Sequence, residues 1–384
     1  MLKNIGIDIT TLNPDYFGGS DTYSNGLIKG LLAQKSNFNY QIYLTEEYLK
    51  KRKFKKSKKV KFITFNYNFY EFILLKIYNR ILPVISIFIG NLKFTVDYYL
   101  RNFINKRLTE KINKNSDILF APNVLLPSYN LKVKTFLNIQ DIQHVHFPKF
   151  FSKLENLRRE YMYFNSLKYS NELICSSNFI KKDIKKNFSL KKKKIYIIEE
   201  GVDFKRYRKT YKSKKLKFRN FFFFPAQLWK HKNHKLVIKS FDIFNKKFKN
   251  KYSLLICGKK FKDSDDIIEL INKTNKCFYL GVISKNLLIK YYKNCVATIS
   301  PALYESSSLT LLEALAAGSR VIASDTEPNL EMKKYSILFF KKNNYFSLAK
   351  QFEKATKLAN KNLNKKINQF DWKNISEKWI NVIK

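Results

Sequence analysis

A chain of 384 residues is too long for one ordinary hydrophobic core and predicts two domains, and its 45% hydrophobic content excludes a disordered polymer. The four cysteines, Cys175, Cys257, Cys277 and Cys295, show no C-x-x-C spacing, which excludes a disulfide scaffold and reads as reduced thiols of a cytoplasmic protein. A formal charge of +44 invites a nucleic-acid reading, but only ten of the 74 basic residues are arginine and the lysines are spread over the whole length, so nucleic acid is not expected as a partner.

Met1-Leu2-Lys3-Asn4-Ile5-Gly6-Ile7-Asp8 reads as a first strand rather than a signal peptide. Short apolar runs then predict strands at 5–9, 40–44, 60–65, 118–121, 135–139, 173–175 and 195–198, with helices between most of them. Between 69 and 108, aromatic and aliphatic residues interleave with Lys76, Arg80 and Lys93 around the apolar run 81–90. Ten apolar residues are too few to cross a bilayer, which leaves a buried helix or an interfacial anchor and excludes a transmembrane helix. After Gly201-Val202-Asp203 a basic stretch to about 217 lacks periodicity and predicts a linker. Further strands are predicted at 221–224, 253–257, 278–280, 297–300, 321–324 and 337–340. This alternation is that of an α/β protein with two βα domains and parallel sheets, with ligands at the carboxyl ends of the strands and in a cleft between the domains. The excess of lysine reads either as drift in an A/T-rich genome or as attraction to acidic substrates or anionic lipid. The second reading leaves open a peripheral contact with the inner face of the membrane.

The most informative segment runs from Tyr304 to Gly318, YESSSLTLLEALAAG. An apolar run from Leu309 to Ala317 is closed by Gly318, a good residue to end a helix. A helix starting near Ser308 would turn its free N–H groups and positive dipole end toward whatever Glu305 faces, a ready anion site. Read as continuous helix, Glu305 and Glu313 lie about 12 Å apart along the axis. A glycosidase needs its carboxylates within roughly 5–9.5 Å, so the pair does not suit an acid/base couple. It suits an elongated ligand with hydroxyls at both ends and an anionic middle, as in a nucleoside-diphosphate sugar. The alternative is that Thr310 and Glu313 form only a capping box.

These residues resemble the retaining glycosyltransferases of family 4 (glycosyltransferase group 1), in the right order over nearly the whole chain. Phe17-Gly18-Gly19-Ser20-Asp21-Thr22-Tyr23 resembles the family's glycine-rich loop, where paired glycines let backbone approach a phosphate. Gln140-Asp141-Ile142-Gln143-His144-Val145-His146-Phe147-Pro148 resembles its acceptor-side loop. Ser176-Ser177-Asn178 through Asp183, and Glu200-Gly201-Val202-Asp203, resemble the end of its first domain. The run from Phe224 to His234, FPAQLWKHKNH, resembles the loop opening the second domain, and Glu305 to Glu313 is its Glu-x7-Glu signature. Phe370-Asp371-Trp372 resembles its common ending.

The resemblance implies the GT-B fold, in which two Rossmann-like βαβ domains with parallel sheets face an interdomain cleft. Residues 1–202 would bind the acceptor and 203–370 the nucleotide sugar, with a helix over 371–384 crossing back to the first domain. It also implies a metal-independent enzyme without a cofactor. Such an enzyme moves a sugar, with mannose from a guanosine donor the first choice, from a nucleotide-diphosphate sugar to a glycan or lipid-linked glycan acceptor in surface polysaccharide or lipopolysaccharide biosynthesis. Glu305 would hold the sugar and Glu313 the ribose. Lys232, Gln227, Gly18, Gly19, Ser306, Ser307, Ser308 and Leu309 would complete the donor side, and Asp141 and His144 would meet the acceptor. The chain departs from the family at Gln227, often arginine, at Gln140, often histidine, and at Ser306, Ser307 and Ser308, where glycines are usual. Those departures keep alternatives open: a GT-B nucleotide-sugar binder or epimerase without transfer, and, lower, a basic nucleic-acid-binding protein. His144 and His146 with His231 and His234 are the imidazoles a zinc set would need, but they fall in different domains and no cysteine pair accompanies them.

Overall fold

The computed structural model describes residues 3–15, 18–52, 54, 57–190, 193–209, 216–358 and 365–384. They divide into two compact units, one of Met1–Glu199 with Trp372–Lys384 and the other of Glu200–Asp371. Both follow the α/β plan with parallel sheets.

The first unit runs β1 (Lys3–Asp8), α1 (Gly19–Leu32), β2 (Phe38–Leu44), α2 (Glu46–Lys51), β3 (Val60–Thr64), α3 (Phe69–Ile89), α4 (Leu92–Ile104), α5 (Lys106–Asn115), β4 (Ile118–Ala121), β5 (Lys134–Ile139), α6 (Gln143–His146), α7 (Lys153–Tyr169), β6 (Glu172–Cys175), α8 (Asn178–Asn187) and β7 (Ile195–Ile197). The second runs α9 (Phe204–Arg208), β8 (Phe221–Pro225), α10 (His234–Lys247), β9 (Ser253–Cys257), α11 (Asp265–Lys273), β10 (Cys277–Tyr279), α12 (Lys285–Asn294), β11 (Ala297–Ser300), α13 (Leu309–Ala316), β12 (Val321–Ser324), α14 (Glu327–Leu330), β13 (Ile337–Phe340) and α15 (Tyr345–Lys357). The last helix, α16 (Trp372–Ile383), returns to the first unit.

Strand order is β3-β2-β1-β4-β5-β6-β7 in one sheet and β10-β9-β8-β11-β12-β13 in the other, all parallel. Each reverses direction once, between β1 and β4 and between β8 and β11, and a crevice at the strand carboxyl ends forms at such a point. Central strands covered on both faces read as unbroken apolar runs, and Phe221-Phe222-Phe223-Phe224 is buried throughout. Every predicted strand is present with its ends within two residues of the reading.

Two readings are corrected. The basic stretch after Asp203 is not all linker: Asp203 caps α9 by accepting from Arg206 N at 3.1 Å, while 210–215 lie outside the described residues. The apolar run 81–90 is the second half of a 21-residue helix, α3, which is long and apolar enough by length and composition to cross a membrane. Reading the decamer alone missed this because Asn68 and Glu71 start the helix thirteen residues upstream of Ile81 with a reciprocal capping box.

In the first unit α16 packs on α1 at close range, through glycines. A Cβ at Gly30 would lie 2.4 Å from the Trp372 carbonyl oxygen, and one at Gly26 would strike the Trp372 ring. Two effects compete at Gly30, because alanine is favoured over glycine in a helix by about 1 kcal/mol. The clash is with backbone and should win, so Gly30→Ala should destabilise the unit by about 1–3 kcal/mol. Urea unfolding followed by the fluorescence of Trp372 and Trp379 in a Trp229→Phe background checks this; a stabilised variant would show that the helices can part.

Candidate functional site

The residues of the second unit expected on the donor side hang from the carboxyl ends of β8 and β11, on either side of the reversal in strand order. After β8 the chain passes Gln227, whose Oε1 accepts from Trp229 Nε1 at 2.8 Å, and makes a short 3-10 turn, Lys230–Lys232. After β11 comes the loop 301–307, then α13. Leu303 N donates to the His231 carbonyl at 2.9 Å, tying the two loops together. Lys232 Nζ forms an ion pair with Glu305, whose side chain is only 14% exposed.

Ser308 is the N-cap of α13, its hydroxyl accepting from Leu311 N at 3.3 Å and meeting Ser300 Oγ at 3.1 Å. The alternative, a capping box of Thr310 and Glu313, does not form. Thr310 lies within the helix and donates to the Pro225 carbonyl at 3.4 Å. The helical spacing of about 12 Å also fails as a measure. Only Leu309–Ala316 is helical, and Glu305 sits in the loop before it. The helix ends through Ala317 and Gly318, the latter at φ 80°, and Ser319 N donates to the Ala314 carbonyl at 2.9 Å.

Glu313 is held by groups the sequence reading missed. Lys285 Nζ at the start of α12 pairs with it at 2.5 Å, and Tyr292 Oη on the same helix donates at 3.2 Å. Lys285 also lies over the ring of Tyr207 from α9, 5.1 Å from its centroid. Burial raises the Tyr207 and Tyr292 phenols far above their ordinary value, and the negative charge of Glu313 adds to the effect. No spacing rule links Lys285 to Glu313. The available signal was that a carboxylate on so apolar a helix needs a cation.

The residues expected on the acceptor side lie in the first unit, with the glycine pair. Gly18 is the N-cap of α1 in an extended conformation and Gly19 its first residue; Phe17 lies outside the described residues. Ser20 Oγ donates to Gln140 Oε1 at 2.8 Å, which brings this loop to the one after β5. Asp141 Oδ1 accepts from Gln143 N at 3.2 Å. His144, on α6, is buried edge-on to Tyr163 and lines a cavity of about 640 Å³ with Val145, Phe151 and Leu157. Burial, with the Arg159 charge nearby, pushes its imidazole down to about 4, so it is neutral at physiological pH. His146 instead reaches Asp183 at 2.8 Å, a pairing the sequence reading did not propose.

Residues 206–371 match the family Glycosyl transferases group 1. The O-antigen chain mannosyltransferase RfbU of Salmonella typhimurium is 25% identical over 192 residues, 49% of this chain; the match spans about half (51%) of that relative's length. Residues 206–371 are a glycosyl transferases group 1 domain. Among solved structures, sucrose-phosphate synthase of Thermosynechococcus elongatus superposes with a TM-score of 0.75 at 15% identity, covering 99% of this chain and 98% of that one. A glycosyltransferase of Rickettsia africae gives 0.65 at 18%, covering 99% and 97%. Anabaena HepE, solved with UDP and glucose, gives 0.68 at 12%, covering 99% of each chain. At these identities the likeness is one of fold, and that fold is GT-B.

The group 1 domain thus holds Gln227, Lys232, Glu305, the serines and Glu313, together with Lys285 and Tyr292. It also contains the triplet Asp263-Ser264-Asp265, which the sequence reading passed over. Its carboxylates are exposed, with Lys230 at 3.8 Å from Asp263 and Lys260 at 2.6 Å from Asp265. Among the described residues no three His, Cys, Asp or Glu side chains gather as a metal site would need.

Two outcomes are expected. Lys285→Met leaves a mostly buried carboxylate without its cation and should cost about 1–2 kcal/mol, discounted because Lys285 is a third exposed. Adding Glu313→Gln should recover most of that loss in a double-mutant cycle, and additive losses would mean the pair is not coupled. His234, packed against Phe224 with ring centroids 4.5 Å apart and planes tilted by 34°, is pushed down to about 3 by burial from its ordinary 6.5. Between those values the unfolded chain binds a proton that the folded one does not, so stability falls as pH drops, by up to about 1.4 kcal/mol per pH unit. His234→Phe should flatten the fall in urea midpoint from pH 6.5 toward 4; an unchanged slope would place the linkage elsewhere.

Proposed function

We propose that this protein is a retaining glycosyltransferase that moves a hexose, mannose first among the candidates, from a nucleoside-diphosphate sugar to a hydroxyl of a growing surface glycan. The observation that carries the reading is the arrangement around α13. Two low-exposure carboxylates, each with its own lysine, lie on either side of a serine-capped helix N-terminus at the strand-order reversal of a group 1 domain. The O-antigen mannosyltransferase relative supports the choice of sugar and product class, and the UDP and glucose of the HepE structure support a nucleotide-sugar donor. The four cysteines are buried free thiols, which fits a cytoplasmic enzyme using cytoplasmic donors.

The roles are those the family resemblance implies, and charge and position support them. The donor diphosphate takes Lys232 and the N–H groups opening α13 at Ser308 and Leu309, with Ser306 and Ser307 as hydroxyl donors and Gln227 beside them. The family resemblance gives Gly18 and Gly19, at the start of α1, a backbone role toward phosphate. A cation and a helix end stabilise the charge that develops as the sugar C1–O bond to phosphate breaks. Glu305, released from Lys232, accepts hydrogen bonds from the sugar hydroxyls and faces the positive charge growing on the ring, while Glu313 accepts from the ribose hydroxyls. Asp141 and His144 contact the acceptor, whose oxygen forms the new bond to C1 on the face the phosphate leaves. An imidazole held near 4 is a weak base, so it suits His144 to accept a hydrogen bond from the attacking hydroxyl more than to keep its proton. The departing diphosphate, with a phosphate pKa near 6, is the stronger base and takes the proton.

A panel of nucleoside-diphosphate sugars, read first by thermal shift and then by sugar transfer, tests this. The true donor at about a hundred times its Kd should stabilise the protein by about 2.7 kcal/mol, and no donor stabilising it would overturn the reading. Glu305→Gln should lower kcat about a hundredfold with little change in donor KM, whereas Glu313→Ala should raise KM about tenfold with kcat nearly kept. Equal effects on both parameters in both variants would refute the division of roles.

A further inference from the structure

A crossover between parallel strands needs one helix, and α5 supplies it between β3 and β4. The chain inserts two more, α3 and α4, joined at Gly90-Asn91. The inner face of α3 is committed to protein. Tyr78 and Leu82 pack with Ile104, Tyr161 and Met162, and Tyr78 donates to Asp97 of α4, which also accepts from Tyr129 at 2.8 Å and Asn165 at 2.6 Å. The outer face is apolar and open. Ile73, Ile77, Val84 and Phe88 follow one another at helical spacing and are all exposed, Phe88 to 83%. Tyr70 at the start of α3, and Leu92, Tyr99 and Phe103 on α4, extend the patch.

We propose that the outer face of the α3–α4 hairpin is a docking surface for an anionic lipid bilayer, with α3 lying in the plane of the interface. The choice of occupant rests on charge. Lys76 and Arg80 stand among the exposed apolar residues of α3 and form no ion pair among the described residues, Lys76 resting over Phe72 at 4.2 Å. The acidic neighbours are occupied: Glu71 pairs with Arg107, and Asp97 is wholly buried. A second copy on this face would set like charges together, and an apolar protein partner would strand both cations. Anionic head groups pair with them while the alkyl stems lie along the apolar surface. At 1.5 Å per residue α3 is about 31 Å long, the thickness of a bilayer core. A spanning arrangement would nonetheless put Lys76 and Arg80 near mid-membrane and expose the Asp97 network to hydrocarbon. Lying flat avoids both. The proposal stands independently of the transferase reading.

Flotation of the full chain with vesicles of phosphatidylcholine, alone or mixed with phosphatidylglycerol, tests it at low and high salt. Binding should require the anionic lipid and weaken with salt. Ile77→Ser/Phe88→Ser and, separately, Lys76→Gln/Arg80→Gln should each weaken partition by about tenfold with an unchanged circular dichroism spectrum. Failure to float with anionic vesicles at low salt overturns the proposal, as does binding that neither variant weakens. Resistance to alkaline carbonate extraction would show a spanning helix, and a wild-type dimer dissolved by the apolar variant would show a self-association face; either result also overturns it.

Discussion

The constraint on which the rest depends is that the central strands of each parallel sheet are covered on both faces. Nothing polar can sit mid-sheet without an internal partner, so chemistry is displaced to the strand ends. β8 is buried along its whole length. The few hydroxyls of β11 and β12 are paired off: Thr298 with Ser319 at 2.8 Å, Ser300 with Ser308 at 3.1 Å, and Ser324 with the Ala302 carbonyl at 2.8 Å. These pairings also position the loop that carries Glu305. Two of the three join the sheet to residues of the 301–308 segment, so the apolar core fixes the polar site through a small set of hydrogen bonds.

Electrostatics then sets the state of that site. With 74 basic residues against 30 acidic ones, a carboxylate at low exposure readily finds a lysine, and Glu305 and Glu313 find theirs on different elements. Charge separation inside the domain is thereby neutralised locally. Under the proposed function, a diphosphate arriving at the start of α13 competes for Lys232, and the sugar hydroxyls replace the hydrogen bonds that Glu305 gives up. Such an exchange keeps the number of satisfied groups roughly constant, so binding does not leave a low-exposure carboxylate uncompensated. The two cations on the α3 face have no such internal outlet, which is why Lys76 and Arg80 are informative there and most other lysines are not.

The strands were legible because a parallel sheet writes itself as short, wholly apolar runs, and 221–224 could hardly be anything else. The helix start at Ser308 was legible for the same local reason, since its hydroxyl serves its own third neighbour. What the sequence did not show was which side chains distant along the chain would pair. Lys232 reaches Glu305 across 73 residues and Lys285 reaches Glu313 across 28, and no period in the sequence encodes either. The length of α3 was missed because its cations interrupt the apolar run that a linear count relies on, although in three dimensions they sit within one exposed face. The glutamate spacing misled because a helical ruler was laid over a loop.

The serines at 306–308 bear most directly on whether the group 1 domain can act. A loop that needed glycine for its backbone would show positive φ there, and none of these residues does; Ser308 sits at φ −86°. The serines therefore impose no strain, and Ser308 adds a side-chain cap that glycine could not provide. What remains is space: Ser306 is buried and Ser307 half-buried, so each Cβ and hydroxyl fills room that glycine would leave open. A hydroxyl can donate to a phosphate or to a sugar oxygen alike, and under the proposed function the helix N-terminus, with Lys232 once Glu305 releases it, supplies the preference for an anion. Under the proposed function the serines thus act as hydroxyl donors beside the helix N-terminus and do not by themselves select one part of the donor over another.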